Sequence, residues 1–301
     1  MKTKLKLIFS IIILPILLIG QNREIENKYF KIRDEIKEAK IKSISEFLSM
    51  HSFGGKDTCS EVDKWNSNIY HFDKEGNLSK VENFGFKDSI PRKIIKYVYD
   101  ENGHYIEKSY IFLDSIGNIK NKQDWEFKYD KTGLKIKEIL MSDDKTILMT
   151  NHLKYDEKGN MIEQFRDNRH KWIFKYDNLN RVKEHYEWSK RNDTLVCLKS
   201  IKFNYSNNQL VSEISASPKD SKDIWEEKKF VYASNRKLKT ELKTKASWVS
   251  RNYEPTKKEF RDYQTTFEYN DFGLLKRKYL YRKGLEKPYR CFSYKYEFQK
   301  K

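Results

Sequence analysis

From residue 66 onward, large apolar side chains recur at alternate positions in short runs, and each run ends in a polar break. Phe127 and Tyr129 form one such pair, Leu153 and Tyr155 the next, followed by Phe174 and Tyr176, Phe203 and Tyr205, Phe230 and Tyr232, and Phe267 and Tyr269. A period of two places each pair on one face of a strand, with Lys128, Lys154 and Lys175 on the other. The second aromatic is followed by Asp, two polar residues and Gly, as in YDENG at 99–103, YDKTG at 129–133 and YDEKG at 155–159. Asp at a strand end accepts hydrogen bonds from amides further on and opens a turn. Gly supplies the positive φ that closes it. Asn180, Asn208 and Asn235 stand in for that Gly in three copies, and Asn tolerates positive φ better than other side chains do. The exchange points to a backbone requirement, not a ligand contact. A new apolar start follows, at Leu78, Ile119, Met161, Val182, Leu210 and Leu275. The pattern predicts β-hairpins.

The residue after the second aromatic falls at 73, 100, 130, 156, 177, 206, 233 and 270, with a degenerate copy at 111–119 and a last strand in FSYKYEF at 292–298. The spacing drifts, which hairpins with variable loops tolerate better than a helical solenoid does. Two strands per copy give about eighteen strands. An open twisted sheet rarely exceeds about ten, so this one is expected to curl or close with its aromatics inward. The fold class is therefore all-β, an antiparallel meander of successive hairpins forming a large curled sheet or barrel-like body. Before it, Ile25, Tyr29, Ile32 and Ile36 recur at helical spacing among charges, which predicts a short amphipathic helix over 21–39. A first strand is expected from residue 40 to Gly54-Gly55. The longest interruption, 241–262, predicts a protruding loop or hairpin.

The N-terminus reads differently. Lys2, Lys4 and Lys6 precede an apolar run from Leu7 to Ile19 that ends at Gly20. The run is short for a membrane span, which takes about 20 residues, and it fits a secretory signal peptide over 1–20. The expected organisation is thus signal peptide 1–20, helical segment 21–39 and β domain 40–301. Exported proteins can form disulfides, and two of Cys59, Cys197 and Cys291 could pair, leaving one thiol free. Aromatic residues make up 15% of the chain, with 20 Tyr and 18 Phe; this argues against disorder and favours strands.

The aromatic-Asp turn with Gly and then Asn or Arg, clearest at 99–103, 129–133, 155–159 and in YDNLNR at 176–181, resembles the YD repeat of RHS-type and teneurin-like proteins, particularly short secreted bacterial ones. The resemblance covers about residues 66 to 298 and weakens in YSNNQ and YASNR. It implies hairpin architecture. In long family members such hairpins build a cocoon around a toxin, and this chain lacks the length for that role.

Chemistry is sparse. The histidines at 51, 71, 104, 152, 170 and 185 are dispersed, without metal-ligand spacing. Asp73, Asp100, Asp130, Asp156 and Asp177 recur once per hairpin as turn caps, too far apart for paired-carboxylate hydrolysis. No nucleophile-and-base motif or phosphate loop occurs. The reading is of a protein without catalytic, metal or cofactor sites. Charge is the remaining signal. The chain carries a net +17, and residues 228–301 hold 21 of its Lys and Arg but 8 of its Asp and Glu. Lys276, Arg277, Lys278, Arg282, Lys283, Lys287 and Arg290 are the densest group, a candidate surface for anionic lipid, glycan or an acidic protein. Nucleic acid is disfavoured for an exported protein. Trp225 and Trp248 lie outside the aromatic ladder and are candidate exposed binding rings. Function is expected where the repeat breaks down, in 241–262 and after Gly273. The reading is an exported, non-enzymatic envelope or extracellular binding and scaffold module. Its alternatives are an outer-membrane β-barrel, which the charged strand faces oppose, and a toxin-associated accessory or immunity protein.

Overall fold

The computed structural model describes residues 33–50, 65–220, 222–251, 254–271, 273–283 and 287–299, with backbone alone at 50, 247–251 and 254–260. The expected signal peptide, residues 21–32 of the expected helix and the end of the first expected strand lie outside these residues. Of the helix, one short element is described, α1 (Arg33–Glu38), which buries Ile36.

Eighteen strands follow among the described residues. The first six are β1 (Ile41–Met50), β2 (Trp65–Phe72), β3 (Leu78–Phe84), β4 (Pro91–Tyr99), β5 (Tyr105–Leu113) and β6 (Ile119–Tyr129). Next come β7 (Lys135–Ser142), β8 (Ile147–Tyr155), β9 (Met161–Arg166), β10 (His170–Tyr176), β11 (Val182–Arg191) and β12 (Thr194–Ser206). The last are β13 (Gln209–Ala216), β14 (Ile224–Tyr232), β15 (Leu238–Arg251), β16 (Glu254–Tyr269), β17 (Leu275–Arg282) and β18 (Arg290–Phe298). Each pairs antiparallel with the next, and β18 pairs back onto β1 from Ile41↔Phe298 to Met50↔Arg290. The sheet is a closed barrel. Antiparallel closure of a meander requires an even strand number, because only then do the first and last strands run in opposite directions.

All eight repeat turns, five of them aromatic-Asp, fall at one end of the barrel, since each repeat contributes one strand up and one down. The degenerate copy around Asp114 closes a turn at the opposite end. At the first end α1 rests on the turns: Arg33 Nε donates to the Glu75 carbonyl at 3.3 Å. Gly76 is required there twice over. Its φ is +79°, and a Cβ would approach the Arg33 carbonyl oxygen to 2.5 Å.

The wall has two unlike faces. Phe127, Phe174, Phe203 and Phe230 are buried, whereas Val98 and Val231, on the alternate phase, are 48% and 46% exposed. The aromatic ladder therefore lines the inner face, and lysines such as Lys128, Lys154 and Lys175 stand outside. Two apolar clusters anchor the wall, one joining α1 to β1–β4 around Tyr70, Phe72 and Leu78, the other on β12–β15 around Phe203, Leu210 and Phe230.

Turn chemistry follows expectation with two corrections. Asn180 and Asn208 take positive φ (58° and 61°), but in YASNR the left-handed residue is Arg236 (φ 62°), not Asn235. The YSNNQ copy is shorter, with both Asn207 and Asn208 at positive φ between the paired Ser206 and Gln209. The 241–262 interruption is a hairpin. β15 and β16 remain paired out to Arg251↔Glu254, beyond their pairing with β14 and β17. Cys291 is disulfide-bonded and Cys197 is free.

Candidate functional site

The repeat unit consumes its own polar groups. In the turns at Asp100, Asp130, Asp156 and Asp177, Oδ1 accepts amides two and four residues on, at 2.8–3.0 Å. The side chain of the fourth residue then meets Oδ2 in the His104, Asn160 and Arg181 copies. These bonds hold the carboxyls of Asp100, Asp156 and Asp177 below their ordinary range, although partial burial opposes them. The tyrosine at the turn end of each even-numbered strand from β4 to β16, and Tyr296 of β18, has a further role that the strand pattern did not reveal. Its hydroxyl donates to a carbonyl at the start of the strand that follows the preceding turn. Tyr99 donates to Leu78, Tyr129 to Tyr105, Tyr155 to Lys135, Tyr176 to Met161, Tyr205 to Val182, Tyr232 to Leu210, Tyr269 to Leu238 and Tyr296 to Leu275, all at 2.8–3.0 Å. Each repeat is thereby stitched to the one before it.

Directly beneath the ladder runs an inward row of polar residues. Lys108 faces Tyr97, Glu138 faces Phe127, Gln164 faces Leu153, His185 faces Phe174, Glu213 faces Phe203, Glu241 faces Phe230 and Lys278 faces Phe267. The signal was present in the sequence: each stands nine residues after the turn tyrosine, or eight in the copy with the shorter turn. Lys108, Glu138, Gln164, His185 and Glu213 are buried. Two networks hold parts of the row. In the first, Lys135 Nζ meets Glu138 at 2.7 Å, Asn151 Nδ2 donates to Glu138 at 2.6 Å, and Arg166 Nε donates to Asn151 at 3.1 Å. Burial works against the charge of Lys135, but Tyr105 and Glu138 outweigh it and raise its pKa. In the second, Lys228 lies 3.3 Å from Glu213 and 3.4 Å from Glu226, and Lys243 lies 2.9 Å from Glu226. Burial nevertheless raises the carboxyl of Glu213. Between the networks lies a neutral stretch. Gln164 Nε2 and both nitrogens of His185 are buried there without a protein hydrogen-bond partner, as are Glu213 Oε2 and Ser215 Oγ beside the second network. Burial, with Lys199 nearby, pushes His185 down to about 3.

The seven basic residues singled out by charge are not brought together on one face. Strand alternation and register send Lys278, Arg282 and Arg290 inward, where Lys278 lies over the Phe292 ring at 4.8 Å. Arg277 points outward, opposite Glu268. Lys276 is exposed at the irregularity beside Tyr269, Lys283 pairs with Asp262 at 3.0 Å, and Lys287 is exposed in the β17–β18 connection. Trp225 is half-buried, its indole N–H donated to Asp223 at 3.1 Å, and the side chain of Trp248 lies outside the described residues. His71 pairs with Glu82 at 2.7 Å, and His104 stacks on Tyr129 at 4.7 Å. Among the described residues no group of three or more His, Cys, Asp and Glu could hold a metal ion. Nor is any helix there long and apolar enough to cross a membrane, which says nothing of strands.

Comparison with known proteins places this geometry. The Teneurin YD-shell family matches residues 56–222. No curated protein matches in sequence. Among solved structures, the complex of TcdB2-TccC3 with Cdc42 is similar over 82% of this chain and 14% of that one, at 11% identity and a TM-score of 0.38. The Photorhabdus luminescens Tc holotoxin pore is similar over the same shares, at 11% identity and a TM-score of 0.37. A porin-like protein from Bacteroides uniformis is similar over 85% of this chain and 98% of that one, at 10% identity and a TM-score of 0.39. The chain spans about a seventh of the length of the toxin structures it matches.

Proposed function

Because the chain belongs to the Teneurin YD-shell family, we propose that it serves as an exported, non-enzymatic shell module of the envelope or extracellular space. Its basic C-terminal strands would contact an anionic partner. The observation that carries this reading is the charge imbalance: the strongly basic last quarter is folded into the barrel as β14–β18. A binding role over a catalytic one is supported by how the repeated groups are used. Turn carboxylates are spent on turn amides, and the inward ionisable pairs at Glu138 and Lys228 are spent on each other.

Closure with an even strand number gives the outer-membrane barrel reading some support. The outer wall opposes it. Lys96, Lys128, Lys154, Lys175, Lys202 and Lys229 are all exposed, and a lysine facing lipid at the midplane costs about 2–4 kcal/mol. Fractionation tests the proposal. The expected result is release from membranes by carbonate or high salt, and retention in the membrane pellet would favour the inserted barrel.

A further inference from the structure

Not all the basic residues of the last quarter are equivalent, and register separates them. On the outer wall cations meet acids: Arg277 opposes Glu268, Lys42 lies 3.0 Å from Glu297, and Lys283 lies 3.0 Å from Asp262. On the inner face, at the end of the barrel opposite the aromatic-Asp turns, four cations stand on four adjacent strands. Lys245 of β15 is directly opposite Arg261 of β16. Arg282 of β17 is opposite Tyr263, and Arg290 of β18 is opposite Leu280. All four are exposed, and none has an ion-pair partner among the described residues. Glu226, across from Lys245, is already engaged by Lys243 and Lys228. Like charges facing one another across a strand pair are destabilising, and the four span three strand spacings, about 15 Å. Aromatic rings lie among them. Tyr289 sits beneath Arg282 at 4.6 Å and near Arg290 at 5.8 Å, and inward Tyr263 lies between Lys243 and Arg282 in the register.

We propose that this inner quadrant of the barrel mouth, Lys245, Arg261, Arg282 and Arg290 with Tyr263 and Tyr289, is a binding site for a linear acidic glycan of the uronate type. The inference rests on the reading above that the basic quarter meets an anionic partner, and it names the face and the ligand. A flat lipid surface meets the outer wall and the loop tips and cannot lay headgroups along the inside of the mouth. A polyuronate repeats its carboxylates at an interval comparable with a strand spacing. Its sugar faces stack on aromatic rings, which an acidic peptide does not need. Arginine forks bind carboxylates in two-point contacts.

The test is titration of the full chain, at low and high salt, with oligogalacturonate, with oligoglutamate of equal charge, and with phosphatidylglycerol vesicles. The expected result is salt-sensitive binding of oligogalacturonate, at least tenfold tighter than of oligoglutamate. Arg282→Gln with Arg290→Gln, and separately Lys245→Gln with Arg261→Gln, should each weaken it tenfold or more. The outward pair Lys276→Gln with Arg277→Gln should change it less than twofold. Because removing unpaired like charges relieves repulsion, the inner variants should melt no lower than the parent at low salt, which separates lost binding from lost folding. Equal or tighter binding of oligoglutamate would overturn the glycan assignment. Binding to vesicles alone, abolished by the outward variants, would overturn this site while leaving the anionic-partner reading standing. Binding to none of the three would overturn both.

Discussion

At the scale of single residues, the turn tyrosine does two jobs at once. Its ring is a rung of the inner ladder, and its hydroxyl ties one repeat to the previous one. Tyr176 shows both: its hydroxyl donates to Met161 at 2.8 Å, and burial pushes its pKa up to about 12. Tyr176→Phe keeps the ring and removes the tie, so it should lower unfolding free energy by about 1 kcal/mol. Lys175→Ala, one residue earlier on the outer face, should fall within about 0.5 kcal/mol of the parent. Denaturant titration of the two variants checks the pair, and equal losses would refute the role of the tie. His185 gives a pH signature. It is fully buried, with neither nitrogen bonded, and its folded pKa is depressed from 6.5 to about 3. The unfolded chain thus takes up a proton that the folded one refuses. Stability is full above pH 6.5 and declines as pH falls towards 3, by at most about 1.4 kcal/mol per unit. Glu213, raised by burial, acts in the opposite sense above its ordinary range, so the His185 contribution is isolated by comparing the parent with His185→Gln between pH 6.5 and 5. Denaturation midpoints across that interval should fall for the parent and stay nearly flat for His185→Gln.

At the scale of the hairpin, most of the element pattern was legible, because period-two alternation and turn chemistry are local. The strands, the Asp-capped turns and the projecting β15–β16 hairpin all follow from it. What was misplaced had local competitors. In YASNR both Asn235 and Arg236 could close the turn, and the turn geometry, three residues after the former Asp position, selects Arg236. The inward polar row was legible in principle. Its period is set by the step of nine residues from the turn tyrosine, across the turn, and not by the alternation within either strand alone. The basic cluster was legible as charge but not as a surface, since adjacent residues such as Arg277 and Lys278 must face opposite ways. Turn strain is testable here. A side chain in the left-handed region costs about 1–2 kcal/mol, so Arg236→Gly should stabilise the protein by up to about 1 kcal/mol after the added entropy of glycine. Gly159→Val, at φ +78°, should destabilise it by at least as much. Melting temperatures moving in opposite directions would confirm the backbone reading, and a loss in both would contradict it.

At the scale of the whole molecule, closure was not legible, because no turn joins β1 to β18 and their pairing leaves no local signature. The strand count required a curl or a barrel, and the even number permitted antiparallel closure. The choice between curl and barrel is made by the ladder from Ile41 to Met50 against Phe298 to Arg290. That ladder removes both edges of the sheet, which would otherwise template aggregation. It also gives the barrel an inside, without which neither the polar row nor the cationic mouth exists. The most direct test is a cross-link across the seam. Ser45 and Lys295 are register partners on the outer face, so the double variant Ser45→Cys with Lys295→Cys should form a disulfide under mild oxidation. Peptide mapping by mass spectrometry should find the two ends of the chain joined, with a yield matching a control pair at Glu107 and Glu126 inside one hairpin. A control that cross-links while the seam pair stays reduced would contradict the closed barrel.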